Sequence, residues 1–591
     1  MVFHSSHPRI NGKYQVFTTE RKRNVTDYQT VPTDTTIWDW LLEHSIDRLT
    51  TRTTSGYTDV DTQNRVTYLQ LKGYATHLST ALTTEYGIRA GDSVAIFSPN
   101  SIWYPVAIFG ALRLGARVSG VSPSYGKDEL SYALQKISAK VLWTIPELES
   151  VAVAAVRESG TRDCKILLLE DQRDEMATRR SLRGLAKLGK SRGKEGQVVA
   201  FSIPAGQTNR DICAFLNFSS GTTGLPKAVI ISHHNVIAQC LQVAQITPAD
   251  HRRVLGALPV FHIQGLVHIL HVPIVLNAEV YLMRKFSLDV MLGVVSKYEI
   301  RELCLVPPII VLLAKSPVVI KYDLSCVRRF FSGAAPLSDG ILEVLHRRFP
   351  QTGFKQGYGL TESCSAITLH PPGKLGYENA GFAGTLVANT EIMIRSVDDG
   401  RELGVDETGE ILARGPQITA GYLDDPRATA STFDTDNWLH TGDVGRMNRD
   451  GFLVVSDRIK DLIKVKGIGV APAELEDLLL THPNVESCAV LGTPDPFAGE
   501  RPVAFVALRS LGPSEADKKA TGVELLRLVQ QKRARHKWLA EIRFVPSIPK
   551  SPTGKILKRA LREERAPAGA EDVVRETDMT TVDLESPRPR L

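Results

Sequence analysis

Two short apolar runs, Cys213–Phe218 and Ala228–Ile231, bracket the nine residues Ser219-Ser220-Gly221-Thr222-Thr223-Gly224-Leu225-Pro226-Lys227. Short apolar runs bounded by turn residues read as buried strands. The loop between them is made of hydroxyls and glycines and ends in a lysine. Glycines let backbone N–H groups approach an anion, hydroxyls add donors, and the lysine adds positive charge. That composition suits a phosphate cradle, and it also suits a flexible surface hairpin. It is not a Walker A loop, which needs Gly-Lys-Ser/Thr in sequence, whereas Pro226 separates Leu225 from Lys227.

The chain around this loop is long, at 591 residues, so more than one domain is expected. A net charge of +6 is too mild to argue for nucleic acid. The seven cysteines are scattered, odd in number and without a CxxC, which fits a reducing compartment and gives no zinc site. Met1 to Ser6 lacks the apolar core of a signal peptide. The longest apolar region, Val254 to Met283, is interrupted by His262, Gln264, His268 and His271 and reads as buried core rather than a membrane span.

The first ~55 residues are polar and read as irregular up to an amphipathic helix over Thr35–Leu42. A strand at Ser93–Phe97, a helix over about Ser101–Leu114 and a strand at Ala116–Val121 form a βαβ unit, so a parallel sheet is expected. Further strands are predicted at Ala139–Trp143 and Lys165–Leu169. Thr178 to Lys194 is rich in Arg and Lys with little apolar content. It reads as a solvated surface insertion, since no aromatic residues interleave for base stacking. His262 lies in apolar sequence, where a histidine is more often a core residue than a catalytic one. Phe330–Ser338 reads as a strand entering a small-residue turn, against which a flat ligand can lie. Gln356–Glu362 gathers glycines, an aromatic ring, a hydroxyl and a carboxylate, groups able to meet a base, a phosphate and Mg²⁺.

Seven motifs follow in order: Ser219–Lys227, Pro259–Gly265, Gln356–Glu362, Gly409–Tyr422, His440–Asp443, Asp457–Asp461 and Pro549–Lys555. In this set the chain resembles the adenylate-forming (AMP-binding) superfamily over roughly Ile37 to Arg562, with the closest likeness to 4-coumarate–CoA ligase-like acyl-CoA synthetases. The resemblance implies an α/β fold. A large N-terminal domain of stacked α/β sheets with a small β subdomain would cover residues 1–456, with a charged, β-poor hinge at 457–460. A smaller mobile α+β domain would cover 461–564, and a disordered tail 565–591. Within the small domain, Pro472 suits position N1 of a helix over Ala471–Leu480, and Ser487–Leu491 and Val503–Leu508 read as strands.

It also implies an enzyme: a ligase that activates a carboxylic acid with ATP and Mg²⁺ to acyl-AMP and transfers the acyl group to CoA. Ser219, Ser220, Gly221, Thr222, Thr223, Gly224 and Lys227 would hold the departing phosphates. Thr361 would bond the α-phosphate, and Glu362 would bind the metal. Gln356, Gly357, Tyr358 and Gly359, with Gly333, Ala334 and Ala335, would surround adenine. Asp443 would accept from the ribose hydroxyls, as an acceptor-only group can. Arg458 and Lys460 would support the nucleotide from the hinge, and Lys555 would bridge the acid and the α-phosphate. After rotation of the small domain, Lys464, Lys466 and Gly467, with Lys285, would meet CoA. His262, Gln264, Gly265, Gly333 and Gly357 would line a mostly apolar acyl pocket for an aryl, cinnamyl or medium-chain acid, with His262 also orienting or gating the carboxylate as a catalytic residue beside Lys555 and Thr361. Read singly, Asp443 suits a turn, Arg458 a surface ion pair and Lys555 a solvated loop.

Some positions depart from the pattern. Gln264 stands where hydroxycinnamate-specific relatives often carry tyrosine, and Gly469 where plant ligases often carry glutamine. No aspartate follows Phe261, which disfavours amino acids. A carrier-protein loader and a non-catalytic nucleotide- or acyl-binding paralogue are the alternative functions. Partners are the small-molecule acid, ATP and CoA, with no nucleic acid and no membrane span. Pro589-Arg590-Leu591 resembles a peroxisomal address and admits an import receptor, so peroxisome and cytoplasm both fit.

Overall fold

The computed structural model of the chain describes residues 9–11, 14–18, 31–44, 55–161, 163–170, 180–219, 225–333, 337, 339–466, 468–509, 514–550, 556–563 and 572–578. The fold is mixed α/β. Ser93–Phe97 is buried at every position, as a central parallel strand must be. It pairs in parallel with Arg117–Val121 on one side and Ala139–Thr144 on the other. The six-stranded sheet runs Lys227–Ser232, Cys213–Ser219, Arg117–Val121, Ser93–Phe97, Ala139–Thr144, Lys165–Leu168, with an antiparallel hairpin at its first edge. A second sheet orders Glu302–Leu305, Arg329–Ser332 and Gly353–Tyr358 in parallel. An antiparallel sheet built on Glu391–Arg395, Gly409–Arg414, Leu439–Met447 and Leu453–Arg458 follows. The last sheet, from Ile463 to Arg575, has a core of its own drawn from Ile463, Leu475, Val490, Val506, Leu525, Ile542 and Val574.

The helix His233–Ile246 joins these layers. Ser232 caps it, the Asn235 N–H donating to the hydroxyl at 3.2 Å and the Ser232 N–H to Asn235 Oδ1 at 2.9 Å. Its buried polar residues reach across the fold. Asn235 Nδ2 donates to the carbonyls of Pro416 (3.0 Å) and Ile418 (2.9 Å). Gln239 Oε1 accepts from the Ala366 N–H at 2.7 Å, and Gln242 Nε2 donates to the Ala388 carbonyl at 2.6 Å. Such groups hold together only when paired, since an unmatched buried amide costs about 1–3 kcal/mol.

Four expectations change. Residues 9–11 and 14–18, read as irregular, form a hairpin that docks on Glu391–Arg395. The basic stretch from Thr178 is not a solvated insertion where it is described. Leu182–Ser191 is a helix whose Leu182, Leu185, Ala186 and Gly189 are buried, an i, i+3, i+4, i+7 stripe, while Lys187 and Lys190 face out. Asp457 and Arg458, read as β-poor hinge, are strand residues opposite Val444 and Asp443, because an opposite-charge pair stabilises the cross-strand site. Within the expected disordered tail, Val573–Arg575 pairs with Glu541–Phe544. The β-branched Val574 is 3% exposed there, and Lys518–Asp572 (2.5 Å) and Arg501–Glu576 (2.7 Å) flank it. Among the described residues, no helix is long and apolar enough to cross a membrane.

Leu185→Ala is expected to cost about 2–4 kcal/mol in denaturant unfolding, as for a packed core site. A cost within about 0.5 kcal/mol would return the segment to the surface. Burial pushes His233 down to about 3, His268 to about 3 and His271 to about 4. The unfolded chain therefore binds more protons below its ordinary histidine range. Stability should be level above about pH 7 and fall as pH drops through 6.5, by up to about 1.4 kcal/mol per pH unit for each histidine. Asp477, pushed up to about 6 by burial beside Glu476 and facing Asp339, acts in the opposite sense in the C-terminal layer. Unfolding midpoints at pH 7.5 and 5.5, about equal, would contradict the neutral buried histidines.

Candidate active site

The hairpin ends meet with Ser219 opposite Lys227. Its outer strand is covered by the end of the Gly409–Tyr422 motif: Ile230 N–H donates to the Gly421 carbonyl (2.9 Å) and Leu423 N–H to that of Ala228 (2.8 Å). This brings the Tyr422 ring 4.9 Å beneath the Lys227 ammonium. The Tyr422 hydroxyl donates to Glu362 Oε1 at 2.9 Å, so one side chain links the loop lysine to the motif carboxylate. Burial, then the Glu362 charge, raises that phenol, which stays a donor.

Glu362 is placed by a tight turn. Gly359 packs so closely on the Ser365 carbonyl that any Cβ would collide with it. Leu360 N–H donates to Ser363 Oγ (2.9 Å), and Ile367 N–H to the Tyr358 carbonyl (2.8 Å), closing the turn around Thr361 and Glu362. Ser365 holds φ 107°, an uncommon conformation for a residue with a Cβ. Thr361 is half-buried at the head of the turn, and Glu362 is 9% exposed. Thr419 N–H donates to the Glu362 carbonyl at 2.9 Å.

Beside it lies the second group. Tyr358 donates to Asp443 Oδ2 at 2.7 Å, and Arg458 Nε meets Oδ1 at 3.2 Å. Gly442 takes φ 69°, which turns its carbonyl to accept from Ile459 N–H at 2.9 Å and leaves Asp443 facing Tyr358. Asp443 N–H donates to Thr441 Oγ1 at 3.1 Å. Gln356 is spent on structure: its N–H donates to His370 Nδ1 (2.9 Å) and its amide to the Ala380 carbonyl. Lys460, just beyond the strand, is exposed.

A third group forms the other wall. Asn217 Nδ2, on the inner hairpin strand, donates to the Phe261 carbonyl at 3.1 Å, fixing His262 at the start of a helix. Burial lowers His262 to about 4, so it is neutral at physiological pH. Gln264 Nε2 lies 3.7 Å from Cys304 Sγ and would stand 3.2 Å from a Cβ on Gly333. Gly357 sits against Leu369 and Phe331, and Gly265 against the Pro259 carbonyl.

The structure thus joins Ser219, Lys227, Thr361 and Glu362, then Tyr358, Asp443 and Arg458, then Gln264, Gly333 and Gly357. Lys285, Lys464 and Lys466 lie on exposed segments, with Lys466 Nζ 5.0 Å over the Phe497 ring. Ser220–Gly224, Ala334, Ala335, Gly467, Lys555 and Pro589–Leu591 fall outside the described residues. Sequence reasoning gave no role to Tyr422, although it closes a motif. It also passed over Asn235, Gln239 and Gln242, whose i, i+4, i+7 spacing was legible as one helix face.

Comparison with known proteins shows the family of the chain. Residues 43–423 match the AMP-binding enzyme family, and residues 474–555 match the AMP-binding enzyme C-terminal domain. The chain is 36% identical to 4-coumarate–CoA ligase 2 of Oryza sativa subsp. japonica over 505 residues, covering 81% of this chain and 84% of that one. It is 34% identical to peroxisomal OPC-8:0-CoA ligase 1 of Arabidopsis thaliana, covering 85% and 89%. The crystal structure of an ATP-bound RpMatB-BxBclM chimera superposes with a TM-score of 0.78 at 26% identity, covering 90% and 99%. With both family domains in order along one chain, the protein belongs to the AMP-binding enzyme family and is an ATP-dependent, AMP-forming acid–thiol ligase of the adenylate-forming acyl-CoA ligase group.

Proposed function

We propose that the chain activates an aryl, cinnamyl or medium-chain carboxylic acid to its acyl-AMP and passes the acyl group to CoA. The observation that carries this is the Lys227–Tyr422–Glu362 link at the mouth of the Ser219–Lys227 hairpin, one turn from the Tyr358–Asp443–Arg458 cluster.

A carboxylate is a poor electrophile because oxide would have to leave. Its oxygen attacks the α-phosphorus of ATP, the bond to the β-phosphate breaks, and pyrophosphate departs. The thiolate of CoA then attacks the acyl carbon and AMP leaves. The first step brings two anions together, so the site must offset negative charge. Lys227 supports the departing phosphates and Thr361 the α-phosphate. Asp443 receives the ribose hydroxyls, steadied by Tyr358 and Arg458. Glu362 suits Mg²⁺, since this ion is commonly held by one or two carboxylates plus substrate phosphates, and its Oε1 is already oriented by Tyr422. When bound there, the ion would offset charge on the phosphates.

His262, neutral and buried, closes the acyl wall without adding charge. The two half-reactions call for different groups at one place. We infer that residues 457–460 act as a hinge between units 1–456 and 461–564, exchanging Lys555 for Lys464, Lys466 and Gly467. The carboxylate of Asp457 accepts the Ala473 N–H at 3.1 Å, at the start of helix Pro472–Leu480, so this stretch contacts the second unit directly. The name of the Arabidopsis relative supports a peroxisomal setting.

An acid panel with ATP, Mg²⁺ and CoA, read as pyrophosphate, AMP and acyl-CoA mass, tests the reading. Background pyrophosphate with every acid would remove it, and acyl-AMP that CoA does not discharge would favour a carrier protein as acceptor. Lys555→Ala should lower acyl-AMP formation about 10²–10³-fold while thioester formation from supplied acyl-AMP changes little. Equal losses would sink the exchange of lysines. Lys227→Ala should weaken adenylation by about tenfold or more, as loss of a charge-assisted contact does, and spare the CoA step. An unchanged pyrophosphate rate would take the loop out of phosphate binding.

A further inference from the structure

The basic stretch that packs down as helix Leu182–Ser191 has no part in the chemistry above. Residues 178–197 carry seven Lys and Arg against Glu195 alone, a net +6, and the whole chain is also +6. Everything outside this stretch is therefore balanced in formal charge, and the excess of the protein sits on one element and its flanks.

The way the helix is held decides where that charge points. Ser181 Oγ accepts the Gly184 N–H at 3.2 Å and caps its start. Gly189 lies so close to the His77 carbonyl that any Cβ would collide with it, which presses the helix onto helix Tyr68–Tyr86. Gln197 Nε2 donates to the carbonyls of Gly189 (2.9 Å) and Gly193 (2.8 Å), folding the following turn back on the helix end. With the apolar stripe fixed inward, Lys187 and Lys190 stand exposed one turn apart, and Lys194 is exposed in the turn beyond. Arg180 and Arg192 are paired with Glu149 (2.6 Å) and Glu85 (3.2 Å). Among the described residues the three lysines have no ion-pair partner. Val199, at the same end of the helix as Lys194, is 89% exposed.

Three features choose the partner. The unpaired cations are lysines, compact point charges rather than the planar fork with which arginine binds one carboxylate or phosphate bidentately. They suit a diffuse sheet of anions better than a single anionic group. The Trp103 ring beside the helix is already covered, by Arg183 at 5.8 Å and by Tyr74 edge-on at 5.2 Å, so it offers a nucleic acid no stacking platform. From Lys190 to Gly196 every residue is exposed and either polar or glycine, so this end of the face lacks the aromatic and apolar centre on which a protein partner is anchored. Clustered surface lysines beside one exposed apolar side chain have the composition of a face that rests on an anionic bilayer.

We propose that this ridge is a docking surface for an anionic lipid bilayer, on which the protein lies peripherally with Lys187, Lys190 and Lys194 against the headgroups and Val199 as the apolar contact. The docking does not rest on the ligase reading. Together with that reading, it holds the enzyme where acids with apolar tails partition.

The full chain is sedimented with vesicles of phosphatidylcholine alone and of phosphatidylcholine with about 30% phosphatidylserine, at about 50 and 300 mM salt. It should bind the anionic vesicles at least about tenfold more tightly than the neutral ones and leave them at the higher salt. Lys187→Gln, Lys190→Gln and Lys194→Gln together should weaken partition about 100-fold, near fivefold for each lysine. The unfolding midpoint, and pyrophosphate release from a water-soluble acid, should stay unchanged in that variant. Equal binding to both vesicles, indifference to salt, or binding that survives the triple change would overturn the docking surface. Polyglutamate or single-stranded DNA that outcompetes the vesicles at matched anion concentration would assign the ridge to a soluble polyanion and remove the membrane. If the triple variant misfolds, Lys187→Glu alone, expected to weaken partition about 25-fold, decides in its place.

Discussion

The arrangement depends on one buried polar face. Asn235, Gln239 and Gln242 on helix His233–Ile246 bond to carbonyls and an N–H near residues 366, 388 and 416–418. Those segments carry Glu362 and Tyr422, while the helix itself continues directly from the outer strand of the Ser219–Lys227 hairpin. The loop that begins the site and the turn that completes it come from positions more than a hundred residues apart in sequence. Apolar packing would hold them near one another with little directional preference. Amide hydrogen bonds, in a region where an unmet donor is costly, specify one register. The register between the segments that carry Lys227 and Glu362 is fixed there, beside the link through Tyr422.

The same logic recurs at the Tyr358–Asp443–Arg458 cluster. Asp443 and Arg458 are cross-strand neighbours as well as an ion pair, and Tyr358 reaches Asp443 from another sheet. Desolvation of a carboxylate is offset here by a phenol and a guanidinium together. Asp457, next in the strand, turns its carboxylate to the N-terminus of helix Pro472–Leu480. One stretch of backbone therefore links this cluster to the C-terminal layer.

Much of this was legible in the sequence. The strands at Ser93–Phe97, Ala139–Thr144 and Cys213–Ser219 are short apolar runs bounded by turn residues, and they form where those signals lie. What escaped has physical causes. The helix Leu182–Ser191 hides a four-position apolar stripe under a high count of cations, so composition outvoted period. Val573–Arg575 is a valine pair in a charge-rich stretch, stabilised by a sheet edge that no local signal announces. The helix face of Asn235, Gln239 and Gln242 looks like a solvent face, because sequence alone does not say whether amides meet water or backbone. Lys355 sits within a residue of a recognised motif, yet its burial against Glu302 comes from strand register, which local sequence leaves open.

The strand Gly353–Tyr358 has a consequence for how such a protein can diverge. Its residues alternate between two environments, with Lys355 and Gly357 on one face and Phe354 in the opposite core. A substitution at 355 alters what lies at that level while leaving Gly357 and Tyr358 in place. A single-residue insertion or deletion would invert the strand, sending a lysine into the apolar core and Gln356 to the other face. Point changes keep the register of this strand, whereas length variation is left to the loops at its ends.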